Sequence, residues 1–172
     1  MFEVLRKRRS IRSFQGCAIE AEKIALLKEA ALRSPSSRNR EPWSFIFVDD
    51  KKILAALSTA KPHGASFLKG AALGIVVCGD EAVSDVWVED CSIASILIQL
   101  AAQSLGLGSC WIQLRNRPHA DGVSSEAYVR TVLGLPESLK VESILAVGYP
   151  AEHPEPIERA ALKDDCIHTN GW

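Results

Sequence analysis

Residues 89–113 read EDCSIASILIQLAAQSLGLGSCWIQ, and after Asp90 no charged side chain appears until Arg115. Ile93, Ile96, Leu97, Leu100 and Ala101 recur at three- and four-residue steps, the period of an α-helix. Ala94, Ile98, Ala102 and Leu105 add apolar surface on the other side. A helix apolar nearly all round is buried, in a core or against a partner subunit. Gly106 and Gly108 stop it, because glycine readily takes the left-handed conformation of a helix C-cap. Ser109 to Ile112 follows as a short strand. A membrane span is disfavoured: Gln99, Gln103 and several serines interrupt the run, which ends near the minimum spanning length of about 20 residues. The stretch predicts the central helix of a soluble domain.

Around that helix the bulk properties are ordinary. The 172 residues are 47% hydrophobic and 24% charged, enough for one full hydrophobic core. One domain is expected over residues 1–172, with an arm from about residue 150. A net charge of -1 gives no general reason to expect nucleic acid or an anionic membrane as partner. Cys17, Cys78, Cys91, Cys110 and Cys166 are odd in number and contain no C-x-x-C pair. That pattern argues for a reducing cytoplasm and against a disulfide framework or a zinc site. The start, MFE, runs directly into charged sequence, so no secretory signal is expected.

Four strands and several further helices are expected. Glu20–Leu32 carries Ile24, Leu27, Ala31 and Leu32 on one face and acidic residues near its start, as the helix dipole favours. Trp43–Val48 and Leu73–Cys78 are apolar runs of strand length, and Ser109–Leu114 and Ser143–Tyr149 complete the set. Asp49-Asp50 can cap a helix from Lys51 to Ala60, and Ser124 one that ends at Leu133 before Gly134 and Pro136. A short helix is expected at Ala65–Lys69, and the central helix is expected to begin near Val83. The tail from Pro150 is an extended arm.

Three stretches have chemical potential, each with a plainer reading beside it. In the extended stretch Arg8-Arg9-Ser10-Ile11-Arg12, alternate residues point the same way, so Arg8, Ser10 and Arg12 could converge on a phosphate. Arginine offers forked donors matched to its oxygens; the plain alternative is a solvated basic terminus. The loop Pro35-Ser36-Ser37-Arg38-Asn39 precedes Pro42-Trp43 and a buried strand, where ligand contacts concentrate; it also serves as a simple connector. Gly106-Leu-Gly-Ser-Cys-Trp111 lets a ligand approach the backbone, yet the glycines also just end a helix. Its helix-then-strand order is the reverse of a dinucleotide-binding turn. His63, His119, His153 and His168 fall in loops without ligand spacing. Cys110 reads as a buried structural thiol, and Glu89-Asp90 as a helix-start carboxylate pair.

Together these pieces resemble the nitroreductase family of FMN-dependent oxidoreductases. The matching stretches are RRSIRSF (8–14), SPSSRNREPWSFIFV (34–48), LGIVVCGD (73–80), WVEDCSIASILIQLAAQSLGLGSCW (87–111), LGLPESLK (133–140) and LAVGYPAE (145–152). The resemblance implies an α+β fold, a central mixed, mostly antiparallel sheet flanked by helices, and an interlocked homodimer with FMN at the subunit interface. It implies that Arg8, Arg9, Ser10 and Arg12 bind the flavin phosphate, ribityl chain and pyrimidine edge. Pro35, Ser36, Ser37, Arg38 and Asn39 would come from the partner subunit, and the backbone of Trp111, Ile112, Gln113 and Leu114 would face the flavin. Arg159 would complete the phosphate site, and Lys69 sits where a flavin-facing lysine is sometimes found. Glu41 stands in place of the usual glutamine, Arg38 in place of a small or apolar residue, and Ile157 in place of a second basic residue. The implied chemistry is hydride transfer from NADH or NADPH through FMN to a nitroaromatic, quinone or related acceptor, with no catalytic side chain, no metal, no nucleic acid and no membrane. A flavin-binding carrier with little turnover is the alternative.

Overall fold

The computed structural model describes residues 1–172. Five helices, α1 (Phe2–Lys7), α2 (Ala21–Leu32), α3 (Lys51–Leu57), α4 (Trp87–Ser104) and α5 (Ser125–Leu133), surround four strands. The strands are β1 (Trp43–Val48), β2 (Leu73–Asp80), β3 (Gly108–Gln113) and β4 (Leu139–Gly148). They form one sheet in the order β1-β2-β4-β3. All three pairings are antiparallel, so the α+β expectation holds while the mixed sheet becomes an antiparallel one. The parallel element reduces to an isolated bridge between Ser10 and Ser109.

The central strands are apolar without alternation because both faces are covered. Ile75, Val77, Leu145 and Val147 join Leu27 of α2 and Ile98 and Ala102 of α4 in one core. Val76, Cys78, Ile144 and Ala146 join Leu54 and Leu57 of α3 and Val129 of α5 in the other. Gly79 lets α4 lie against β2, since a Cβ there would meet the Trp87 ring at 2.6 Å.

Local chemistry sets most boundaries. The Asp50 carboxylate accepts the N–H groups of Lys52 and Ile53 at 2.8 and 3.0 Å and starts α3. Ser124 Oγ accepts Ala127 N–H at 3.1 Å and starts α5. Gly106 at φ 75° and Gly134 at φ 64° end α4 and α5 in the left-handed conformation, as helix C-caps require. Most other ends shift by a residue or two, and the larger departures have local causes. The turn in which the Asp80 carbonyl accepts Val83 and Ser84 N–H delays α4 to Trp87. Helix α3 stops at Leu57, where Ser58 and Thr59 hydroxyls cap nearby carbonyls. Strand β4 begins at Leu139 because Lys140 and Glu142, polar in sequence, belong to it. Helix α1 hides in a basic run with no buried residue.

Strand β4 also carries a bulge. Cys78 pairs with Val141 and Val77 with Ser143, which leaves Glu142 as the extra residue. Two-against-one pairing turns both Glu142 and Ser143 to the α4 side of the sheet. No helix is long and apolar enough to cross a membrane.

Candidate functional site

Beyond α1 the chain runs extended and docks on the free edge of β3. Ile11 N–H donates to the Ser109 carbonyl at 3.0 Å, and its buried side chain lies over Gly108, where a Cβ would approach Ile11 to 2.8 Å. With Ile11 turned inward, Ser10 and Arg12 are exposed. The Arg12 guanidinium stands 6.0 Å from the Phe67 ring, in the 3-10 turn 66–70 that also carries the exposed Lys69. Ser10 and Arg12 both lie by the Cys110 thiol, which burial pushes up while these two groups pull it down.

The C-terminal arm holds this segment in place. Glu152 Oε1 accepts the backbone N–H groups of Arg12 and Ser13, the latter at 3.0 Å. Those two donors keep its carboxyl below the usual range. Ala151 N–H donates to the Ser13 carbonyl at 2.9 Å. Arg9 donates to the Glu155 carbonyl, so its side chain follows the arm. Arg8, from one end of the chain, and Arg159, from the other, line a single cleft of about 410 Å³ with Arg6, Ile157 and Leu162. Arg159 also pairs with Asp164 at 2.9 Å, an exposed contact.

Because β3 is an edge strand, half its backbone groups face away from β4. The Ser109 carbonyl points outward to Ile11, and Leu114 N–H points inward to the Glu142 carbonyl at 3.1 Å. Antiparallel alternation then turns the amides of Trp111 and Gln113 outward and that of Ile112 inward. Trp111 Nε1 donates to Gln113 Oε1 at 2.9 Å, and Gln113 Nε2 donates to the Arg115 carbonyl at 2.9 Å, so both side chains are held.

The loop from Pro35 to Asn39 sits elsewhere, at the start of α4. Ser37 N–H donates to Asp90 Oδ1 at 2.8 Å, and Ser84 Oγ to Asp90 Oδ2 at 3.1 Å. Ser36 Oγ accepts Glu41 N–H at 2.9 Å. Arg38, Asn39 and Glu41 adopt left-handed backbone, φ 52°, 53° and 49°, a conformation that non-glycine residues keep where surrounding contacts impose it. Arg38, Asn39 and Glu41 are exposed. No hydrogen bond or ion pair links this loop to residues 8–12 of the same chain.

The structure thus gathers Ser10, Arg12, the 66–70 turn and the outer edge of β3 in one place, with Arg8 and Arg159 in the adjoining cleft. Three positions carry roles that the sequence reading missed. Asp90 anchors the loop instead of only opening a helix. Glu152 clamps the N-terminal segment, and Gly108 gives Ile11 its seat. Only Gly108 had a local signal, its glycine, which reads equally well as a helix stop.

The sequence and fold of this chain are similar to those of known proteins. A profile of the Nitroreductase family matches residues 5–61 and 56–149. An FMN-dependent nitroreductase from Clostridium difficile is 43% identical and superposes with a TM-score of 0.98, covering 100% of both chains. A Methanothermobacter thermautotrophicus protein, provisionally named NADH dehydrogenase/NAD(P)H nitroreductase, is 37% identical over 100% of this chain and 87% of its own. An NADPH:FMN oxidoreductase from Vibrio harveyi, solved with NAD+, is 27% identical with a TM-score of 0.84, covering 99% of this chain and 77% of its own.

Proposed function

The chain belongs to the nitroreductase family, and from that premise we propose that it is an FMN-dependent oxidoreductase. It uses NADH or NADPH to reduce nitroaromatic, quinone or related acceptors. The observation that carries this reading is the meeting of Arg8 and Arg159, from opposite ends of the sequence, in one cleft. It adjoins a strand edge with outward backbone donors. Guanidiniums suit a phosphate, because their paired N–H groups match its oxygens. The donor set therefore fits FMN.

Bound FMN supplies hydride transfer through N5, and the protein supplies binding, orientation and shielding. Arg8 and Arg159 would hold the phosphate, with Arg9 and Ser10 on the same extended segment as Arg8. Arg12, exposed beside the 66–70 turn, would supply a preorganised positive charge to the bound cofactor. The Trp111 and Gln113 amides would offer donors from the edge of β3, whereas the amides of Ile112 and Leu114 face inward, Leu114 to the Glu142 carbonyl, and Lys69 borders the site on the 66–70 turn. Glu152 contributes by holding Arg12 and Ser13 in place. The loop Pro35, Ser36, Ser37, Arg38 and Asn39 completes the site of a second copy in a homodimer, which accounts for its distance from residues 8–12 of its own chain. The exposed Ile93 and Ile96 on the outer face of α4 support that assembly. The reading places the protein in the cytoplasm as a single domain over residues 1–172.

The test is the visible absorption spectrum of the purified protein, before and after anaerobic NADH or NADPH. A flavin spectrum that bleaches with the nucleotide and returns with a nitroaromatic or quinone is expected. A protein that neither carries nor binds FMN overturns the reading, and slow reoxidation by every acceptor favours a carrier.

A further inference from the structure

The seam between α4 and the sheet is apolar except for one stripe. Ser92, Ser95 and Gln99 recur at three- and four-residue steps and share one face of α4. Glu142 and Ser143 of β4 lie opposite, brought to that side together by the bulge, and Ser109 of β3 stands at the far end. Ser92 Oγ donates to Glu142 Oε1 at 2.5 Å, and Ser109 Oγ lies 3.5 Å from Gln99 Oε1. Three buried side-chain oxygens have no protein partner: Ser95 Oγ, Glu142 Oε2 and Ser143 Oγ. All three belong to this stripe, and their residues are at most 1% exposed.

A buried polar atom without a partner is costly, and sheltered polar groups of this kind are commonly joined by ordered water. We propose that the stripe is an internal hydration site, in which water bridges Glu142 Oε2, Ser95 Oγ and Ser143 Oγ and Glu142 holds an exchangeable proton. The chemistry of the unpartnered atoms favours this arrangement. Ionised, Glu142 would bring a bare carboxylate oxygen into the seam; protonated, it donates from that oxygen into the water, which the two hydroxyls can bond.

The groups around Glu142 act in both directions. Burial pushes its carboxyl up to about 7, and Glu89 on α4 adds to the rise. Ser92 and Arg115 oppose it. Cys91 on α4 and Cys78 on β2 are thiols that burial keeps protonated. Lys140 is engaged with Glu81 at 3.3 Å. The stripe ends at Ser109, whose carbonyl holds Ile11. Gln113, on the free edge of β3, is the cross-strand partner of Ser143. A proton held at Glu142 therefore lies behind the proposed flavin surface. Hydration of the seam does not depend on that function.

The experiment is a high-resolution crystal structure at pH 6 joined to an infrared titration of the protein and of Glu142→Gln, in H2O and D2O. Water bonded to at least two of the three unpartnered oxygens is expected. So is a protonated-carboxyl band that fades as the pH rises through about 7, shifts in D2O and is missing from Glu142→Gln. A dry seam overturns the proposal, as does a Glu142 carboxyl already ionised at pH 6. If Glu142→Gln fails to fold, the unaltered protein still decides, through its water density and its carboxyl band above the range where exposed carboxylates titrate. Neither readout uses flavin or turnover, so loss of the FMN reading leaves this test intact.

Discussion

At the scale of single residues, Glu142 makes stability depend on pH with a definite sign. Its carboxyl sits at about 7 in the folded chain against an ordinary 4.5, so the folded state holds the proton more tightly. The contribution is fully present below about 4.5 and lost as pH rises through 7. A shift of this size corresponds to at most about 3–4 kcal/mol. Glu142→Gln, which keeps the shape without the ionisation, should flatten that part of the curve. Denaturant melts between pH 5 and 8 should show the variant gaining on the parent as pH rises; parallel curves count against it. Asp90 is a second such residue, because its buried carboxylate serves both Ser37 N–H and Ser84 Oγ. Asp90→Ala leaves those donors unpaired, at about 1–3 kcal/mol for each buried group left unsatisfied. A lowered denaturation midpoint and faster proteolysis in residues 35–41 are expected.

At the scale of elements, the site depends on a strand edge and the segment laid upon it. Gly108 is where they touch, and a methyl group there meets three atoms of the branched Ile11 side chain at 2.8–2.9 Å. Gly108→Ala should lift residues 10–12 from β3 and weaken FMN binding while leaving most of the sheet intact. Flavin fluorescence titration beside far-ultraviolet circular dichroism separates the two effects; unchanged affinity would show that the docking is irrelevant to the cofactor. Arg8→Ala removes a charge-assisted contact from the adjoining cleft. At about 1.5–3 kcal/mol for such a bond, equilibrium dialysis should find FMN held roughly ten- to a hundred-fold less tightly.

At the scale of the whole molecule, one face of α4 is left without a neighbour. Ile93 and Ile96 are 40% and 38% exposed, although they belong to the most apolar stretch of the chain. In the proposed homodimer this face is buried and each loop 35–39 reaches the other subunit's site. Ile96→Lys places an unpaired charge in that contact, a change that desolvation makes strongly unfavourable. Sedimentation should show a monomer with little bound FMN; a stable dimer with full flavin would refute this interface.

The sequence by itself determined most of the elements and their main caps, because these rest on short-range chemistry. Helical spacing from Ile93, apolar runs at 43–48 and 73–78, Asp50, Ser124 and the left-handed glycines all act within a few residues. It also carried the family resemblance, through motifs spread in order along the chain. It left open what those motifs do together, since a basic stretch at residue 8 and an arginine at residue 159 have no relation until the arm folds back. Only the tertiary structure decided that Asp90 and Glu152 hold loops, that Trp111 and Gln113 present outward amides, and that Glu142 faces into the core. Each of these depends on which strand lies at an edge or where one extra residue shifts a register. Such choices belong to pairings between distant segments, and local sequence does not encode them.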